Sequence, residues 1–103
     1  MNGIFCISGG LCMTESMKND LIDKMQENLQ ILRLKLKLTQ QGLAEMIGVS
    51  RYTIMSIENK GRQMSWSAFL ALILIFSRNK DTDAMLSLFG IYTDELNDMI
   101  KLG

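Results

Sequence analysis

Residues 38–62, LTQQGLAEMIGVSRYTIMSIENKGR, decide how this chain folds. Thr39 has the side chain of a helix N-cap, and Leu43, Ala44 and Ile47 then recur at helical spacing. Gly48 stands where a helix has to end with φ > 0. Ser50 offers a second N-cap, and Ile54 and Ile57 share one side of the helix it opens. The stretch therefore predicts two short helices joined by a tight turn.

The second of these helices has two chemically distinct sides. With Arg51 at zero and about 100° per residue, Met55, Asn59, Tyr52 and Ser56 fall within roughly 140° on one side, and Ile54 and Ile57 fall opposite. The apolar side continues into Leu43, Ala44, Ile47 and Val49, with Ala44 small enough for close helix contact. The polar side suits a DNA groove. Arg51 can bond bidentately to guanine, Tyr52 and Ser56 can donate and accept, and Met55 can meet a thymine methyl. Gln40 and Gln41 open the helix before the turn, where unpaired N–H groups and the positive dipole end favour a phosphate oxygen. Asn59, Lys60 and Arg62 follow the helix after the turn, placed to grip the backbone on the other side.

Two helices across a short turn containing glycine is the sequence form of a helix-turn-helix. The run T-Q-Q-G-L-A-E-M-I-G-V-S-R-Y-T-I-M-S-I-E-N resembles the Cro/phage-repressor (XRE-type) family of DNA-binding domains, and the resemblance extends over residues 29 to about 76. It implies an all-α fold: a compact, lambda-repressor-like bundle of about five to six short helices around one core, with a helical C-terminal extension. It also implies that Arg51, Tyr52 and Ser56 occupy the base-reading places and that Gln40 holds a phosphate. By the same resemblance Arg33 pairs with Glu58, an ion pair that locks the first helix to the third. Three departures stand out. The glycine of the usual E-N-G-K/R is displaced to Gly61, so Lys60 is expected to take the turn conformation itself; Gly42 lies inside the second helix; and no proline precedes the fourth.

Composition excludes several other classes. Among 103 residues there is no histidine, which removes the commonest general base and metal ligand, and no Ser/His or Cys/His catalytic pairing can exist. Cys6 and Cys12 fit no zinc spacing and read as reduced thiols, so neither a metal nor a cofactor is expected. Proline is absent while Met, Leu and Ile are plentiful, a helical bias. Net charge is zero, but its distribution is uneven. Residues 28–62 hold six basic side chains against two acidic ones, residues 1–27 hold two against four, and residues 63–103 hold three against five. The positive surplus sits on the motif, the electrostatic footprint of a face that meets phosphates.

Outward from the motif, residues 1–18 read as a disordered extension. Their apolar run lacks a preceding cation and is too short to cross a membrane. Residues 19–77 read as the DNA-binding domain, its first helix marked by Leu29, Leu32 and Leu36 and capped by Asn19 or Asp20. Ser65 caps a fourth helix whose stretch Ala68 to Phe76, AFLALILIF, is apolar all round. Leu72 and Ile75 then lie on the side that would be wet unless covered. Residues 78–103 supply two short helices, Asp83 to Phe89 and Thr93 to Leu102, expected to cover the fourth helix, to dimerise, or both.

These readings converge on a cytoplasmic, sequence-specific binder of double-stranded DNA. The expected role is that of a repressor-like transcriptional regulator of a bacterium or phage, a homodimer on a two-fold-related operator, with no membrane partner and no enzymatic activity. Two other readings fit the sequence: an antitoxin whose apolar tail binds a toxin, and a protein-interaction module whose motif no longer reads DNA.

Overall fold

A computed structural model describes residues 4–6, 12–94 and 96–97. Two three-residue strands, β1 (Ile4–Cys6) and β2 (Cys12–Thr14), pair antiparallel with Phe5 opposite Met13. Five helices follow: α1 (Glu15–Lys35), α2 (Gln40–Ile47), α3 (Arg51–Glu58), α4 (Trp66–Ser77) and α5 (Lys80–Leu88). The bundle is all-α, and the short ribbon precedes it.

Every helix begins on a side-chain cap. The oxygens of Thr14, Thr39, Ser50, Ser65 and Asn79 accept N–H bonds from the first turns of α1 to α5 in order. Each cap satisfies a donor that the helix cannot satisfy itself, worth about 1 kcal/mol. Two of these caps move boundaries relative to the sequence reading. The Thr14 hydroxyl accepts from the Met17 N–H at 3.0 Å, so α1 starts at Glu15 and not near Asn19. The Asn79 Oδ1 accepts from Asp81 and Thr82, so α5 starts at Lys80 and not at Asp83. Thr93 caps one further helical turn, its hydroxyl accepting from the Leu96 N–H at 3.2 Å. Residues 98–102 of the expected last helix, with residues 1–3 and 7–11 of the expected extension, lie outside the described residues.

One core joins all five helices. Met25, Leu29 and Leu32 of α1 meet Leu43 and Ala44 of α2 and Ile54 and Ile57 of α3. The same buried cluster takes in Phe69, Leu72, Ile73 and Phe76 of α4, Leu86 of α5, and Ile91 and Leu96 beyond it. Those α4 positions recur at i, i+3, i+4 and i+7, a single stripe. Leu72, expected on the side that would be wet unless covered, is completely buried, and Ile75 is half-buried. The residue that points outward is Leu74, 61% exposed. α5 packs against α4, and the corner between them is held by the buried Thr82, whose hydroxyl donates to the Phe76 carbonyl at 2.5 Å. No helix among the described residues is long and apolar enough to cross a membrane.

Burial separates neighbours on α4 sharply. Leu72→Ala should destabilise the fold by about 2–5 kcal/mol, the range for truncating a core leucine, whereas Leu74→Ala should change it by less than about 0.5 kcal/mol. Urea denaturation of the two variants checks this, and equal losses would mean that α4 is rotated from the position described.

Candidate nucleic-acid interface

The geometry of α2 and α3 follows from the turn between them. Gly48 adopts φ 79, and the N–H groups of Gly48 and Val49 both donate to the Ala44 carbonyl, at 2.9 and 3.0 Å. This closes α2 on a left-handed residue, a conformation that glycine adopts without a Cβ penalty. Ser50 then starts α3 at once, its hydroxyl accepting from the Thr53 N–H at 3.1 Å. Ile54 and Ile57 face the core, so Arg51 and Tyr52 stand exposed at the first turn, with Met55 and Ser56 half-buried.

The rotation of α3 about its axis is held by charge. Arg33 of α1 donates from Nε to Glu58 Oε2 at 2.7 Å and from Nη2 to Oε1 at 3.1 Å, a bidentate pair whose side chains are 8% and 4% exposed. Its Nη1 donates to the Leu38 carbonyl at 2.9 Å, between α1 and α2. Gln40 completes the cluster by donating to Glu58 Oε1 at 3.0 Å. One carboxylate thus ties together the ends of α1, α2 and α3. The other glutamine, Gln41, donates to Glu45 on its own helix at 2.9 Å.

Beyond α3, Asn59 forms the C-cap and Lys60 adopts φ 63, so the lysine, not Gly61, takes the left-handed position. Gly61 donates its N–H to the Ser56 carbonyl at 2.8 Å, and a Cβ there would sit 3.5 Å from that oxygen, an ordinary contact. The Arg62 guanidinium lies 5.9 Å from the centre of the Tyr52 ring, within cation–π range. The structure thereby brings Arg62 back beside the first turn of α3, which its place in the sequence does not suggest. A shallow groove separates this loop from α1, with Lys60, Arg62 and Gln63 on one wall and Asp23 and Glu27 on the other.

Sequence reasoning missed Gln26. It lies on the buried stripe of α1 between Met25 and Leu29, and its Nε2 donates to two carbonyls, Ile57 at 2.9 Å and Arg62 at 2.6 Å. The available signal was a polar residue at a core position of a helical repeat, since such a side chain needs hydrogen-bond partners.

The buried pair gives a direct test. Arg33→Met leaves Glu58 charged and without its main partner, and should cost about 3–5 kcal/mol. Adding Glu58→Leu should recover much of that loss. Chemical denaturation of the double-mutant cycle measures the coupling, and strictly additive losses would mean that the two side chains do not interact.

A family model described as helix-turn-helix matches residues 29–65, from the middle of α1 through α2 and α3 to the cap of α4. Neither the curated proteins nor the solved structures give a significant match. The matched segment holds Arg33, the α2–turn–α3 unit and Glu58, which are the parts that the geometry shows to be fixed to one another. Residues 29–65 of this chain thus match the helix-turn-helix of the Cro/C1 type, a family of DNA-binding regulators.

Proposed function

We propose that the chain is a repressor-like transcriptional regulator that reads the major groove of double-stranded DNA with α3. The observation that carries this reading is the exposure of Arg51 and Tyr52 on a helix whose rotation the buried Arg33–Glu58 pair fixes. Residues at the start of such a helix reach base edges, and those past its end meet the backbone. Arg51, Tyr52, Ser56 and Met55 are the proposed base-reading set; Gln40, Gln41, Asn59, Lys60 and Arg62 are the proposed phosphate set. Within that set, Gln40 and Gln41 already donate to Glu58 and Glu45, so a phosphate would have to take a further N–H or displace those bonds. The groove carboxylates, Asp23 and Glu27, temper the positive field around Lys60 and Arg62.

The protein acts in the cytoplasm, in this reading, as a homodimer on a two-fold-related operator with half-sites about one helical turn apart. Support for an assembly comes from apolar side chains left outside the core: Leu74 of α4 and Leu88 of α5 are 61% and 80% exposed. Light scattering at high concentration should give the mass of two chains, and Leu74→Glu should shift that mass towards one chain without unfolding the protein. A single-chain mass for the unmodified protein, with and without duplex, would end the dimer reading.

Binding of variants to matched and scrambled duplexes at several salt concentrations tests the assignment of roles. Arg51→Ala should cost about 1–3 kcal/mol on the best operator and relax preference at one base position per half-site. Arg62→Ala should weaken all sequences alike and reduce the salt slope by about one unit per lost phosphate contact. Equal losses on both duplexes for Arg51→Ala would reassign that residue to phosphate. If neither variant changes binding, the interaction-module reading takes over.

A further inference from the structure

We infer that Gln26 is a positioning residue for DNA binding: from a part of α1 outside the family match, it holds the loop that carries Lys60 and Arg62 where those cations meet the phosphate backbone. The inference rests on the DNA-binding reading above.

The loop needs an external hold. Lys60 sits at φ 63, in the left-handed region that residues with a Cβ occupy only where the surroundings over-determine it. Past the Asn59 cap, two local bonds shape the turn, from the Lys60 N–H to the Ile57 carbonyl at 3.1 Å and from the Gly61 N–H to the Ser56 carbonyl at 2.8 Å. Neither reaches Arg62. The bond that does comes from Gln26, whose single side-chain nitrogen spans the Ile57 and Arg62 carbonyls. Both partners are acceptors, so the nitrogen end of the carboxamide must face them, and both of its hydrogens are committed. Gln26 is 9% exposed, which keeps water from replacing those bonds cheaply. The end of α3, the far side of the loop and α1 are thus fixed relative to one another through one side chain. Arg62 cannot swing away from Tyr52 by a backbone movement without breaking it. Glutamate or methionine has the right size but no hydrogen to donate.

The test uses the full chain. Wild-type protein, Gln26→Met, the pair Lys60→Ala/Arg62→Ala, and the triple combination are titrated with matched and scrambled duplexes at several salt concentrations. Gln26→Met should reduce the salt slope by about one to two units, at about 0.9 per phosphate contact, with the same fold-loss on both duplexes and an unchanged order of base preference. In the background lacking Lys60 and Arg62 it should reduce the slope no further, because it acts through them. A folded Gln26→Met with an unchanged slope, or an equal loss in both backgrounds, overturns the proposal and leaves Gln26 a purely structural residue. Side-chain amide exchange in the wild-type protein gives a readout that needs no variant: the Gln26 NH2 protons should exchange much more slowly than those of an exposed glutamine, and exchange at the solvent-exposed rate overturns the proposal as well. Absence of any salt-dependent duplex binding by wild-type protein would instead defeat the DNA-binding reading and the DNA role of Gln26 with it, while slow exchange would still show that Gln26 holds the loop.

Discussion

The Glu58 carboxylate is where three helices meet. It receives two N–H bonds from Arg33 of α1 and one from Gln40 of α2 while belonging to the last turn of α3. A buried pair of this kind adds little net stability over apolar side chains of the same shape, because desolvation offsets the attraction. Its effect here is geometric. Leu and Ile contacts tolerate small rotations of a helix, but a bidentate guanidinium–carboxylate pair has a narrow range of distances and planes. With Glu58 held at one end and Ile54 and Ile57 seated in the core, Arg51 and Tyr52 have one direction left, towards solvent.

Short helices make the rest of the chain necessary. α2 and α3 are each eight residues long, and isolated helices of that length are unstable in water. Their caps reduce the cost, and tertiary packing supplies the remainder. α2 and α3 pack chiefly on each other, α3 also on α1 and α2 also on α4, and Phe69 and Phe76 of α4 belong to the same buried cluster. Leu86, Ile91 and Leu96 of the C-terminal part join the same cluster. The helix-turn-helix and the residues that follow α4 consequently share a single core.

Local chemistry was legible in the sequence. Thr39, Gly48, Ser50 and Ser65 act on groups within four residues of themselves, and each does in the structure what its type suggests. Lys60 also took the left-handed turn that the displaced glycine implied. The Arg33–Glu58 pair spans 25 positions and came from the family resemblance, since no periodicity links the two. The exposed position on α4 was not legible because AFLALILIF has no polar residue to mark a direction; the neighbours decide that Leu72 turns in and Leu74 turns out. Gln26 was overlooked for a related reason: its partners are backbone carbonyls 31 and 36 residues away, and a carbonyl has no side-chain identity to read.

Gln26 also bears on where the functional unit begins. The family match starts at residue 29, three positions after it, and ends at residue 65, before any of α4. A transplant of residues 29–65 into another scaffold would carry Arg51, Tyr52 and the Glu58 cluster intact. It would leave behind the side chain bonded to the Arg62 carbonyl and the aromatic floor of Phe69 and Phe76. The helix-turn-helix together with the groups that hold it in place is therefore longer than the matched segment, running from the middle of α1 through α4.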